Sequence, residues 1–262
     1  MADTPQSEIS GQVMFYKQPE PLSLEQHRSL GVKRVDKPFK FLVGSNLVPI
    51  TVNEFGVAAS SYPLIFVGPE KSPVAVMGAR ANENVFVSPE GDVDPEAYLP
   101  AFVRRYPFAF AADPSGERLV VCIDRAASML GEAPDIPFFN GDQPSQFTQD
   151  AIEFCKEFET FRQATQLFIT RMTEFDLWET KSVSLTPPQE DGTPGEAIKI
   201  AEYFAVSEPA LQKLDPAKLT VLRDEGWLGM LYAHMISLLL WPKILNRALN
   251  IAATEAPPPP AR

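Results

Sequence analysis

From Phe147 to Phe175, the residues Phe147, Ala151, Phe154, Phe158, Phe161, Thr165, Phe168, Met172 and Phe175 follow one another in alternating four- and three-residue steps. That spacing puts all nine along one seam of a helix, and at 1.5 Å per residue the helix is on the order of 45 Å long. An apolar seam of this length must be covered. Either the rest of the chain packs around it as a central helix, or a second chain covers it in a coiled coil. Phenylalanine is bulky for a dimeric coiled-coil seam, and Thr165 interrupts this one, so the central helix is the favoured reading.

Before this seam the pattern is different. Up to about Leu130, short apolar runs alternate with Pro, Gly and Asn: Leu47 to Val52, Leu64 to Val67, Val74 to Met77, Val85 to Val87, Phe108 to Ala111 and Leu119 to Ile123. These read as strands, and the 26 prolines of the chain argue against long helices among them, because proline removes a backbone donor and clashes with the preceding turn. Asp94-Pro95 is expected to start a short helix through Ala97 and Phe102 that Tyr106-Pro107 ends. The stretch 131–146 reads as a connector. Beyond the seam, Val183 to Leu185 and Ile198 to Val206 suggest a hairpin across the loop from Pro187 to Gly195. Ser207 before Pro209 and Asp215 before Pro216 look like helix N-caps, and Gly226 separates two helices.

The expected fold class is therefore α+β, with a strand-rich N-terminal lobe packed against a mostly helical C-terminal half that contains one long central helix. The expected layout is a flexible 1–12, a strand-rich lobe at 13–130, the connector, a mostly helical lobe at 147–250 interdependent with the first, and a proline-rich tail at 251–262. The tail, Ala256-Pro257-Pro258-Pro259-Pro260, suits a stiff solvated extension. It reads as an uninvolved terminus rather than as a ligand for an aromatic groove.

A chain of 262 residues with 45% hydrophobic residues can bury a substantial core. Its net charge of −11 argues against nucleic-acid partners, which require a clustered cationic footprint, and against residence on an anionic membrane. Cys122 and Cys155 have neither zinc-site nor CxxC spacing and are expected to be buried free thiols, which fits a reducing compartment. The opening MADTPQSEISGQ has no apolar signal-peptide core. The apolar stretch Trp227 to Trp241 is shorter than the ~20 residues that span hydrocarbon. A cytoplasmic location without stable membrane insertion is expected.

Chemical motifs are scarce. There is no glycine-rich phosphate loop, no GxSxG elbow and no HExxH helix, and two histidines, His27 and His234, are too few for a multi-histidine metal centre. No metal or cofactor is expected. His234, between Ala233 and Met235, is expected to pack in a core rather than act as a base, and His27, beside Glu25 and Arg28, to be exposed. The best binding candidates are Arg104, Arg105 and Tyr106 with Asp124 and Arg125. Guanidinium groups at a helix-to-strand corner suit a carboxylate or phosphate of a peptide or small molecule. The competing reading is an internal pair between Arg105 and Asp124, which fixes the corner.

The segment around Tyr98 to Arg125, EAYLPAFVRRYPFAFAADPSGERLVVCIDR, together with Met14-Phe15-Tyr16-Lys17, Asn46-Leu47-Val48-Pro49-Ile50, Glu83-Asn84-Val85-Phe86-Val87, Glu202-Tyr203-Phe204-Ala205-Val206 and Gly226-Trp227-Leu228, closely resembles the bacterial SapC family. The resemblance spans roughly Val13 to Leu249. It implies an association with surface-layer formation or with outer-membrane nutrient uptake, and no defined reaction.

Two functional readings follow. The first is a non-catalytic interaction factor that binds another protein or peptide, with a homo-oligomer also open, and the missing catalytic constellations favour it. The second is an enzyme, or an accessory subunit of one, that works on peptides or small molecules with carboxylates and arginines. The halogenase-like and cupin-like neighbours implied by the resemblance suit such a helper.

Overall fold

Residues 146–174 contain neither glycine nor proline, and in the computed structural model they form one continuous helix, Gln146–Glu174. The hydroxyl of Ser145 accepts from the Thr148 N–H at its start, occupying a donor that the first helical turn leaves without a partner. At its end Asp176 adopts φ 55°, while the Leu177 N–H reaches the Met172 carbonyl and the Asp176 N–H reaches that of Thr173. This is a Schellman termination, with Leu177 and Met172 both fully buried. The structure describes residues 14–112, 118–186, 193 and 195–255. The segment 1–12, most of the loop Pro187 to Gly195 and the tetraproline tail lie outside them.

The chain is α+β, with a strand-rich N-terminal half, the long central helix, and further helices toward the C-terminus. It divides into two units, and neither follows sequence order: one comprises 1–41 and 101–160, the other 42–100 and 161–262. The stretch 131–146 lies wholly within the first of them. The helix contributes residues to both.

In the first unit, Leu119–Asp124 is the middle strand of an antiparallel sheet between Pro19–Pro21 and Phe108–Ala112. The expected connector is itself structured. Leu130–Glu132 and Ile136–Pro137 flank Leu30–Val32 in a second small sheet, and Phe139–Asn140 pairs with Gln143–Pro144. Phe138, between these pieces, is fully buried in a cluster with Leu30, Phe108, Ile123 and Cys155. Pro134 and Gly141 fall between these strands while Gly131, Pro137 and Pro144 lie within them, and each strand is only two or three residues long, so no alternation long enough to read as a strand appears in the sequence.

The second unit holds a five-stranded antiparallel sheet that draws on both halves of the sequence. Its order is Trp178–Leu185, Ile198–Val206, Leu64–Val67, Ser72–Val76, Leu47–Pro49. The hairpin of the C-terminal half is thus longer than expected and continues an N-terminal sheet at Phe204↔Phe66. Phe66 is the hub of the unit's core, with its ring 5.9 Å from Phe55, 6.1 Å from Phe168 and 4.8 Å from Trp178. Thr165, the polar interruption in the seam, accepts a hydrogen bond from the Val52 N–H at 3.0 Å. The expected helix after Asp94-Pro95 does not form. The Asp94 carboxylate instead pairs with Arg247 at 2.8 Å, and helix begins only at Ala101.

Ser207 and Asp215 cap Glu208–Gln212 and Pro216–Asp224, and Gly226 at φ 79° precedes Trp227–Ser237. That helix continues through a 3-10 turn into Trp241–Glu255, because Pro242 falls in the first turn of the next helix, where its missing N–H costs nothing. The run Trp227–Ile251 is therefore 25 residues, long and apolar enough to cross a membrane by length and composition, unlike the shorter stretch expected from sequence. One face, with Trp227, Leu231, His234, Ser237 and Ile244, is buried in the fold, while Tyr232, Ile236 and Leu239 are exposed.

Candidate functional site

The corner that carries the arginines is built from a single helical turn, Ala101–Arg104. It is closed by the Arg105 N–H to the Ala101 carbonyl and by the Tyr106 N–H to that of Val103. A cis Tyr106–Pro107 bond follows, and the chain leaves as the strand Phe108–Ala112. Ala101, Phe102 and Val103 are buried, which leaves Arg104 exposed and Arg105 half-buried.

Arg105 lies in an aromatic clamp. Its guanidinium carbon is 4.4 Å from the ring centroids of both Phe102 and Phe158, and 6.0 Å from that of Tyr16. Ring faces of this kind attract a cation by roughly 0.5–2 kcal/mol each. The Arg105 Nε is buried without a hydrogen-bond partner. Arg104 lies 5.0 Å over the Phe154 ring.

Asp124 does not pair with Arg105. Its carboxylate is fully buried and accepts four hydrogen bonds: from the backbone N–H groups of Lys17 (3.1 Å), Gln18 (2.8 Å) and Ala126 (3.2 Å), and from the Tyr106 hydroxyl (2.9 Å). Two carboxylate oxygens offer about four acceptor positions, so Asp124 is filled by the protein itself and ties the N-terminal segment to the corner. Burial, and then the bond to Asp124, push the Tyr106 phenol far above its ordinary range, so it remains a neutral donor. Arg125 turns away, 3.8 Å from Glu20.

Arg104, Arg105 and Tyr106 border a cavity of about 390 Å3. Its apolar wall comes from Val32, Met129 and the first turns of the long helix, where Phe147, Ala151 and Phe154 share one face with the exposed Asp150. The structure thus keeps three of the five candidate residues at one site and takes Asp124 and Arg125 out of it. The helix face had been visible in the sequence only as part of the apolar seam. Spacing shows that a face is apolar but not that part of it borders an open space.

Neither histidine has a ring nitrogen to spare. His234 is fully buried, its Nδ1 donating to the Leu64 carbonyl (2.9 Å) and its Nε2 accepting from the Val206 N–H (3.1 Å). Burial lowers its pKa to about 4, so it is a neutral packing element. His27 is buried, not exposed as expected: Nε2 meets Glu20 at 2.9 Å and Nδ1 meets the Ser23 backbone at 3.0 Å, bonds made by the one-turn helix Leu24–His27. Cys122 and Cys155 are buried free thiols, pushed up to about 11 by burial, the wrong direction for a nucleophile. Among the described residues no group of three or more His, Cys, Asp or Glu is placed to hold a metal ion.

A larger cavity, about 670 Å3, lies in the second unit against Arg80, Glu83, Asp94 and Arg247. Its charges are engaged internally: Arg247 with Asp94 at 2.8 Å, Arg80 with Glu83 at 3.6 Å. The arginine corner is the better site, since its cations face an apolar cavity and Arg105 has no carboxylate partner among the described residues.

A protein-family model described as SapC matches residues 22–244. No curated protein and no solved structure matches the chain.

Proposed function

For a chain that belongs to the SapC family over most of its length, we propose a non-catalytic role: it binds another polypeptide at the Arg104–Arg105–Tyr106 cavity, in the service of a surface-layer or outer-membrane uptake system. The observation that carries this reading is the chemistry of the cavity. Two guanidinium groups stand at the edge of an apolar space, while the adjacent carboxylate, Asp124, is saturated by four donors and cannot act as a base. Asp150, the one carboxylate among the described residues that lines the cavity, already accepts from Gln146, and a lone exposed carboxylate beside cations and aromatic rings suits binding better than proton transfer. Buried aromatic and arginine side chains are also the residue types that dominate protein interfaces.

The test is affinity capture from native cells with tagged full-length protein, comparing wild type, Arg104→Ala and Ala151→Trp, the last filling the cavity. A partner retained by wild type and by His234→Gln, and lost from both cavity variants while all remain folded, supports the reading. Normal capture by a folded Arg104→Ala protein, together with loss of function in a folded His234→Gln protein, overturns it and restores the enzyme alternative.

A further inference from the structure

We propose that the outer edge of the strand Trp178–Leu185 pairs, antiparallel and about a two-fold axis, with the same edge of a second copy of this chain. The surface belongs to the second unit, and the inference stands independently of the cavity in the first.

Trp178–Leu185 is the end strand of the five-stranded sheet, and among the described residues it pairs with Ile198–Val206 alone. One bond fixes the direction of its backbone groups. The Ser207 N–H donates to the Leu177 carbonyl at 2.8 Å, and these two residues continue the register that sets Trp178 opposite Val206. Antiparallel bonding alternates along a strand, so Glu179 and Lys181 turn their N–H and C=O groups inward, to Ile198–Val206. Trp178, Thr180 and Ser182 turn theirs outward, where no backbone partner among the described residues meets them. Thr180 and Ser182 are exposed. An open edge of this kind is a template for another strand.

Charge selects the occupant and the register. An axis at Glu179 or Lys181 would set like charges opposite one another. An axis at Ser182 would set Glu179 opposite Leu185 and Lys181 opposite Val183. An axis at Thr180 sets Glu179 of each copy opposite Lys181 of the other, Thr180 opposite Thr180, and the outward groups of Trp178 opposite those of Ser182. Opposite charges and facing threonines are favourable cross-strand pairs. The order Glu-Thr-Lys thus makes the edge complementary to itself, as a two-fold contact requires.

The surroundings suit a second copy as well. Each chain carries a net charge of −11, so two copies repel over most of their surface. Within the hairpin the charges cancel: Glu179 pairs with Lys181 at 2.9 Å, and Lys199 with Glu202. The Glu179 and Lys181 side chains are still 31% and 44% exposed, open to the opposite charges of a copy. The competing role for a lysine here is to guard the edge against any pairing, and the experiment separates the two.

Size-exclusion chromatography with light scattering on the full-length protein is the test. Wild type should show twice the mass of one chain. Glu179→Lys and Lys181→Glu, each folded by circular dichroism, should each weaken the dimer at least about 10-fold, because like charges then face one another on both sides of the axis. Mixing the two variants in equal amounts should restore the dimer, since every facing pair is again of opposite sign, and the double variant should dimerise alone for the same reason. Thr180→Pro removes one outward N–H, a change that an edge strand tolerates, and should give a folded monomer. A wild-type protein that stays monomeric, or whose mass rises only by binding a different polypeptide, overturns the proposal. A dimer that survives either charge reversal or Thr180→Pro overturns this edge as its contact. Loss in both reversals without recovery on mixing shows that the pair within one chain was the one that mattered, and overturns it too.

Discussion

The guanidinium of Arg105 lies 4.4 Å from the ring of Phe158, so a residue of the helix-to-strand corner is clamped by a residue of the long helix's seam. Phe158 thereby packs the core with Ala101 and Phe102 and also sets the position of a charge at the edge of the cavity.

Phe158→Ala should destabilise the protein by roughly 3–5 kcal/mol, the usual cost of truncating a buried phenylalanine, a large part of a typical domain's stability. Phe161→Ala, at a half-buried position, should cost less. Thermal melting of both variants checks the order; two melting points within a degree of wild type would show the seam to be exposed.

Asp124→Asn removes the charge and replaces one acceptor oxygen with a donor amide, in a place where all four neighbours donate. A loss of about 2–3 kcal/mol is expected, from the charge-assisted bonds and from donors left buried without a partner. Tyr106→Phe removes one of those bonds and should cost about 1 kcal/mol. Denaturant unfolding of both single variants and the double variant measures the coupling, and a strictly additive double variant would argue against the hydrogen bond seen here.

Stability should depend on pH through His234. Its folded pKa is lowered from 6.5 to about 4, chiefly by burial, with the Leu64 hydrogen bond opposing. The unfolded chain therefore takes up a proton first as pH falls. The neutral buried ring contributes its full stability above pH 6.5, and that contribution is lost progressively down to about pH 4, a change on the order of 3 kcal/mol. His234→Gln should lack this slope. Asp94 and Glu225 are held below the usual carboxylate range by Arg247 and Arg171, so their contributions disappear only at still lower pH. Urea unfolding of wild type and variant from pH 7.5 to 4.5 is decisive, and parallel curves would refute the assignment.

The run Trp227–Ile251 has the length and composition of a membrane span. We propose that it is a folded helix and not a spanning one, because its Leu231 and His234 face is buried within the second unit. Leu231→Ala should cost about 2–5 kcal/mol, whereas Leu239→Ser, at a position 77% exposed, should stay within about 0.5 kcal/mol. Alkaline carbonate extraction should release the protein from membranes, and retention in the pellet would overturn the proposal. Cell fractionation should recover it from the cytoplasm, and recovery from the cell envelope would refute that location.

Local chemistry was legible in the sequence by itself. The three- and four-residue steps from Phe147 to Phe175 specified the helix, because a period of 3.6 leaves few other ways to gather so many apolar side chains on one side. Ser207, Asp215 and Gly226 marked helix ends, since capping and positive φ depend on the residue and its immediate neighbours. Only the tertiary structure decided the rest, because it depends on partners far away in the chain. Asp124 had looked like a partner for Arg105 until donors more than 100 residues away, at Lys17 and Gln18, proved to fill it. His27 is buried with its ring bonded to Glu20 of the short strand Pro19–Pro21, a contact outside its own helical turn. Phe204 joined the sheet of Phe66 across 137 intervening positions, and Phe154, one seam residue among nine, became part of the wall of a cavity. Periodicity reports which face of an element is apolar; what that face meets is settled by long-range packing, which no local pattern encodes.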